Sequence, residues 1–413
     1  MGVDLTYECM APGQYRLTLQ VYRDCNGVSM DASHVISYSS AQCGVNSSIT
    51  VTQVGPPEDI TPVCPQNPNT ACGGSGQYGV QKYTYTGILN LPPGCGNDWT
   101  LSWDYCCRNN AITNLTSPGN ETVYIAICLD NTLSPCNNSP VFLNNPIPFY
   151  CVNQPVNYNH GVIDLDGDSL TFTPVNSLSN GGAVVGYSGG HSGSAPFTTS
   201  APYTVNPVNG DITYTPSAIQ VAVAAIRVDE YRNGVHIGCV VRDMQFTIIN
   251  CTNQLPTATG TNGSNTFNLT IPACSDTCFN ILSNDPDAGD NVTMTWNGGI
   301  AGGVFTTNGA QHPTGQFCWT TTAADVGLHS FTVTVKDDHC PITGTNTYSY
   351  NINVVPSSDP PVSAGPDVTL CPGLNTTLHA QVTGGSVTGY AWSDGTNNWN
   401  TQNITVSPST TTM

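Results

Sequence analysis

Apolar and polar residues alternate with a period of two in short runs along this chain, which places successive side chains on opposite faces of a strand. Residues 15–22 (YRLTLQVY) carry Tyr15, Leu17, Leu19 and Val21 on one face. They run into Asp24-Cys25-Asn26-Gly27, whose Asn-Gly pair signals a tight turn. Residues 48–54, 81–89, 99–105 and 122–129 read the same way, with Pro- and Gly-rich connections at 55–68 and 91–96. Strand patterns return at 222–230, 245–250 and 330–336. The longest apolar run, 219–228 (IQVAVAAIRV), contains Gln220 and Arg227. It falls far short of the roughly 20 apolar residues a bilayer span requires, so it reads as a buried strand. The fold class expected is all-β: tandem β-sandwich modules stapled by disulfides.

Changes of texture divide the chain. Residues 1–149 form a Cys-rich β domain that ends where Pro146-Ile-Pro-Phe-Tyr-Cys151 begins a new pattern. Residues 150–251 contain the acidic loop Asp164-Leu-Asp166-Gly-Asp168 and end on strands carrying Asp229 and Glu230. Residues 252–356 repeat that plan, with Asp285-Pro-Asp287-Ala-Gly-Asp290 in the loop and Asp337-Asp338 after the strand at 330–336. A Pro/Ser linker at 356–361 leads into residues 357–413, too few for a whole sandwich, and the C-terminus is expected to be truncated.

Composition supports strands over helices. Glu, Lys and Leu are scarce while Thr, Val, Asn, Gly and Pro are abundant. The formal charge of −19 opposes nucleic acid and anionic lipid as partners, and direct membrane insertion is not expected. Met1-Gly2-Val3-Asp4 leads straight into a strand pattern without a signal peptide. That leaves a cytosolic chain, or a mature or cut-down exported one, and the 18 cysteines decide for export to an oxidising compartment. None of them forms a C-x-x-C pair of the kind zinc requires. Ten precede residue 150, an even number from which an internally closed first domain is expected.

The acidic loops are the candidate chemistry. Alternate carboxylates on a loop that turns at glycine supply about half the six to eight oxygens calcium takes. The expected ligands are Asp164, Asp166, Asp168, Asp229 and Glu230 in one segment, and Asp285, Asp287, Asp290, Asp337 and Asp338 in the next. Calcium (Ca2+) between such clusters would turn a hinged string into a stiffer rod. The plainer reading is that Asp and Gly make solvated turns. Gly186-Tyr-Ser188-Gly-Gly190, with His191 beside it, fits the nucleophile-elbow pattern, but no helical pattern follows it, so it is read as chance and no enzyme is expected. Trp103 and Trp392 alternate with polar neighbours and read as core residues rather than sugar-stacking faces.

Longer motifs carry a resemblance. Gly365-Pro-Asp-Val-Thr-Leu-Cys371-Pro-Gly, Tyr390-Ala-Trp-Ser-Asp and Ile404-Thr-Val-Ser-Pro resemble PKD-like and Ig-like repeats of Bacteroidetes surface proteins. Asp164-x-Asp166-Gly-Asp168-Ser-Leu with Asn209-Gly-Asp-Ile-Thr-Tyr-Thr-Pro resembles cadherin-like repeats of bacterial adhesins. The opening Asp4-Leu-Thr-Tyr-Glu-Cys through Tyr22-Arg-Asp-Cys-Asn-Gly is similar to gliding-motility-associated proteins exported by the type IX secretion system. The resemblance implies an extracellular or cell-surface adhesin, or a fibre segment, with a surface glycan or protein as partner. A secreted hydrolase with accessory β modules and a passive stalk are the alternatives.

Overall fold

The computed structural model describes residues 2–146, 149–357, 362–371, 373–382, 389–394 and 396–407. Residues 358–361 of the expected linker and the terminal 408–413 lie outside the described residues. Contact density divides the chain into a larger unit, Met1–Leu269 with Cys278–Cys318 and His329–Asn351, and a smaller one, Thr270–Thr277 with Trp319–Leu328 and Ile352–Met413.

The alternating runs become strands β1 (Gly2–Ala11), β2 (Gln14–Asp24), β3 (Ser33–Ser40), β4 (Val45–Gln53), β5 (Val80–Asn90), β6 (Trp99–Tyr105) and β7 (Val123–Leu129). Gly13 turns β1 into β2 at φ +79°, and a Cβ there would stand 2.7 Å from the Leu91 carbonyl oxygen. Farther on come β8 (Ser169–Val175), β9 (Gln220–Arg232) and β10 (Val235–Ile249). The last two form a hairpin whose turn residues Asn233 and Gly234 both have positive φ, as the tightest antiparallel turns require.

Pairing runs β1-β2-β5-β4-β3-β6-β7-β10 and returns to β1, an eight-stranded antiparallel barrel. Strands β9 and β8 continue outward from β10. Closure removes the unpaired edges that an open sheet exposes. The inward face is the one the alternation marked: Leu5, Tyr15, Leu17, Leu19, Val21, Tyr85, Trp99, Leu101, Trp103 and Ile125 are buried. Trp103 is thus a core residue, as expected.

This corrects the expectation of tandem sandwiches in the first 250 residues. The boundary placed at 149/150 falls within one continuous sheet, because β10 supplies the closing strand. Alternation reveals a strand's buried face but not its partner, and here the partner of β1 lies more than two hundred residues away. Residues Val156–Tyr158, Thr199–Val205 and Ile212–Pro216 make a three-stranded sheet, with Tyr214 stacked on Phe197 (4.5 Å) and edge-on to Phe246 of β10 (6.2 Å).

Residues 257–355 form two four-stranded sheets. One runs Thr257–Ala258, Asp276–Asn284, Thr314–Thr320, Val304–Thr307; the other runs Asn268–Pro272, Thr345–Val355, Gly327–Lys336, Thr293–Trp296. Phe317 stacks on Phe331 (4.3 Å), which stacks on Tyr350 (5.2 Å). Within the larger unit these residues are pinned to the preceding segment by buried polar contacts. The Asn159 side-chain amide donates to Ser349 Oγ (3.0 Å), Ser349 Oγ donates to Asp211 (2.6 Å), and the Asn157 N–H donates to Asn346 Oδ1 (2.9 Å).

In the smaller unit the C-terminal residues form three two-stranded ribbons: Val362–Ser363 with Gln381–Val382, Thr376–His379 with Asn403–Val406, and Trp392–Ser393 with Asn398–Trp399.

Eight disulfides join Cys9–Cys136, Cys25–Cys72, Cys43–Cys95, Cys64–Cys340, Cys106–Cys107, Cys128–Cys239, Cys151–Cys251 and Cys278–Cys318. Cys64 and Cys128 pair beyond residue 150, so the first ten cysteines are not a closed set, contrary to the even-count expectation. Such dense pairing marks a chain that matures in an oxidising compartment. Among the described residues no helix is long and apolar enough to cross a membrane.

Candidate functional site: two acidic clusters

The 164–168 loop folds on itself, with Asp164 Oδ1 accepting from the N–H groups of Asp166 and Asp168 (both 2.9 Å). Glu230, at the end of β9, is fully buried, and both its oxygens accept from the Asn137 side-chain amide at 2.8 Å. Asp164, Asp168 and Glu230 bring carboxylate oxygens within 4.8 Å of one another. Burial, reinforced by the charges of Asp164 and Asp168, pushes the Glu230 carboxyl up to about 9, and its side chain hydrogen-bonds Asp168. Burial also raises Asp164, helped by its acidic neighbours and opposed by the N–H groups it accepts from.

This cluster already has a cation of its own. The Arg232 guanidinium donates to both oxygens of Asp168 (2.8 and 2.5 Å), to Asn137 Oδ1 (2.8 Å) and to Ser134 Oγ (2.5 Å). Asp166 is satisfied by the backbone and side-chain N–H groups of Asn138 (2.8 and 2.7 Å). Asp229 does not join, because strand alternation turns it to the opposite face from Glu230. There it accepts from Arg227 (2.6 Å) and His236 (2.8 Å).

A neutral, hydrogen-bonding Glu230 carries a pH signature. Its folded pKa, about 9, lies above the ordinary value of 4.5, so between those limits the folded chain holds a proton that the unfolded chain releases. Stability from this site is therefore lost as pH rises from about 5 to 9. Glu230→Gln keeps a donor toward Asp168 and is expected to raise the unfolding midpoint at pH 8 while flattening that slope. Denaturant melts across the range check it; a lowered midpoint at pH 8 contradicts a protonated Glu230.

The second cluster is built differently. Asp285 is buried; its Oδ1 accepts from the Asp287 N–H (2.8 Å) and its Oδ2 has no partner. Asn253, from the connection between segments, is buried, donates from Nδ2 to Asp337 Oδ2 (2.9 Å), and leaves its Oδ1 unpartnered. Asp337 Oδ1 accepts from the N–H groups of Gly344 (2.7 Å) and His339 (3.0 Å). Asp290 meets His339 Nδ1 at 2.7 Å, and Asp287 is held by the Gln254 N–H (2.7 Å). Asp287, Asp290 and His339 place ligand atoms within 4.8 Å of one another.

Burial, with Asp337, Asp290 and Asp287 nearby, lifts Asp285 to about 6, and burial likewise raises Asp337. Asp338 points elsewhere, accepting from Asn291 (2.8 Å) and Gln66 (3.3 Å). Burial opposes its charge, but these donors outweigh it and hold the carboxyl below its ordinary value. No described Arg or Lys is paired with this cluster.

Of the ten expected ligands, the structure thus gathers Asp164, Asp168 and Glu230 in one place and Asp285, Asp287, Asp290 and Asp337 in another. The expectation omitted Asn253, Arg232 and Asn137. The repeated Asn-Gln before proline, Asn153-Gln-Pro155 and Asn253-Gln-Leu-Pro256, was the signal available for Asn253. The nucleophile-elbow residues do not assemble, since Ser188 Oγ donates to the Thr113 carbonyl (2.9 Å) and His191 Nδ1 lies against the Ser188 carbonyl rather than its hydroxyl.

No known protein family and no curated protein matches the chain. Among solved structures it is similar to an endo-fucoidan hydrolase from glycoside hydrolase family 107 (12% identity, TM-score 0.21, 85% of this chain and 43% of that one). It is also similar to human CDH23 EC21-23 (13% identity, TM-score 0.21, 63% and 92%) and to titin Ig tandem domains (8% identity, TM-score 0.19, 53% and 97%). The chain spans less than half the length of the hydrolase. At these scores the likenesses carry no argument about fold or function.

Proposed function

We propose that this chain is part of an extracellular adhesin or fibre, of the gliding-motility-associated, type IX-exported kind, that binds a surface glycan or protein. Disulfides and calcium keep its β segments stiff, and it works by binding rather than by catalysis.

The observation that supports this reading is the pair of buried, unpartnered oxygens in the second cluster, Asp285 Oδ2 and Asn253 Oδ1. A buried polar atom without a partner costs about 1–3 kcal/mol, and a carboxylate more. Calcium removes that cost, because it accepts six to eight oxygens in irregular geometry. Asp285, Asp287, Asp290, Asp337 and the Asn253 carbonyl oxygen are the donors it would use. The first cluster, with Arg232 on Asp168, is a weaker claimant.

The test uses beads coated with the disulfide-intact chain on polysaccharide- and protein-coated surfaces, in calcium and in chelator. Retention on some surface, reduced in chelator and in Asp285→Asn, is the expected result. Turnover of a polysaccharide without retention would favour a hydrolase; neither retention nor turnover would leave a passive stalk.

A further inference from the structure

Sixteen of the eighteen cysteines are paired, and the two left over, Cys274 and Cys371, are both exposed and both belong to the smaller unit. We infer that they form a ninth disulfide, which fastens the C-terminal ribbons to the end of the preceding sandwich.

Cys274 sits on a pinned turn. The preceding Ala273 donates its N–H to the Val355 carbonyl (2.8 Å). The following Ser275 is held by two bonds: its N–H donates to Thr321 Oγ1 (3.0 Å) and its hydroxyl to the Pro272 carbonyl (2.6 Å). Between them Cys274 has φ +60°, a left-handed conformation that L-residues disfavour and that glycine adopts freely. The exposed side chain there presents its thiol to a partner. Its position beside Val355 also places it where the chain leaves the sandwich for the C-terminal segment. From Val355 the chain can extend up to about 50 Å before Cys371, so reach imposes no obstacle.

Formation requires an oxidant, which a disulfide such as oxidised glutathione supplies. The Cys274 thiolate attacks one glutathione sulfur, giving a mixed disulfide and one released glutathione thiol. The Cys371 thiolate then displaces the second glutathione, so that two electrons and two protons pass to the oxidant as the Cys274–Cys371 bond forms.

The consequence rests on the reading of the chain as a load-bearing fibre. Tension applied at the chain ends then reaches Cys371 by two covalent routes, through the sulfur bridge from Cys274 and, by way of Cys64–Cys340, along residues 341–370. The bridge closes a loop of residues 275–370 that includes most of the 257–355 sandwich. The Cys278–Cys318 disulfide lies wholly within that loop.

The experiment is peptide mapping of the full chain, folded in a glutathione redox buffer, alkylated without reduction and digested with pepsin in acid. The expected product is a linked pair of peptides containing Cys274 and Cys371 that separates on reduction, with neither residue alkylated. In Cys274→Ser, Cys371 is expected to become alkylated while the other eight linkages persist. Alkylation of both residues in the wild type, or Cys274–Cys274 or Cys371–Cys371 links between two copies, overturns the inference. The map is indifferent to ligand binding, so a chain that adheres to nothing still shows or lacks this bond.

Discussion

Replacing Asp4 with alanine is expected to lower the unfolding free energy by about 3–5 kcal/mol, because it strands a buried guanidinium. Asp4 and Arg242 stand directly opposite each other where β1 meets β10 and the barrel closes. Arg242 is fully buried and donates to Asp4 Oδ2 from Nε (2.9 Å) and Nη2 (2.7 Å). It also donates to the Asn144 carbonyl (2.7 Å) and lies 4.1 Å from the centre of the Phe142 ring. Its neighbour Asp243 faces the other way, in a second buried pair with Arg108 (2.9 Å). The seam therefore carries a charge pair on each face. Arg242→Met alone should cost a similar amount, whereas Asp4→Leu with Arg242→Met should recover most of it, since apolar replacement of a whole buried pair is often neutral or stabilising. Denaturant titrations of the wild type, Asp4→Leu, Arg242→Met and the double variant complete the cycle, with Asp4→Leu alone expected to be destabilising as Asp4→Ala is. Additive losses in the double variant would mean that the pair does not close the seam.

The second large effect concerns calcium. A ligand that binds only the folded state stabilises it by RT ln(1 + [L]/Kd), about 2.7 kcal/mol at a hundredfold excess over Kd. A thermal melt of the oxidised chain is expected to rise in calcium and fall in chelator. Asp285→Asn should abolish the difference and, in chelator, should melt above the wild type at neutral pH, because it neutralises a carboxyl that burial disfavours. The sign follows from the Asp285 carboxyl, raised to about 6 from 3.8. Without calcium the folded state holds its proton longer than the unfolded chain, so this site's stability declines as pH rises from about 4 to 6. Calcium requires the ionised form, so its stabilisation should be full above pH 6 and shrink below it. A calcium shift that grows on acidification would contradict the assignment.

Much of the fold was legible because burial imposes a period of two. Tyr15, Leu17, Leu19 and Val21 alternate in sequence, and all four line the barrel core. What alternation cannot encode is which strand lies beside which. Where β1 closes on β10, Asp4 meets Arg242, two charges that resemble surface residues until the structure buries them. The acidic clusters were half legible for a similar reason. Asp285, Asp287 and Asp290 share one loop, so their spacing announces them, whereas Asn253 reaches the site only through tertiary packing. Asp229 and Glu230 are adjacent in sequence and so lie on opposite faces of β9, a separation that the alternation of that strand already required. Arg232, two residues beyond Glu230, was the sign that the first cluster has its own counter-charge.

Titration calorimetry of calcium into the disulfide-intact chain and into Asp285→Asn and Asp168→Asn tests the proposed calcium brace most directly. Saturable binding to the wild type is expected, lost in Asp285→Asn and retained in Asp168→Asn. Absence of calcium heat in the wild type, or its loss in Asp168→Asn with retention in Asp285→Asn, would contradict it.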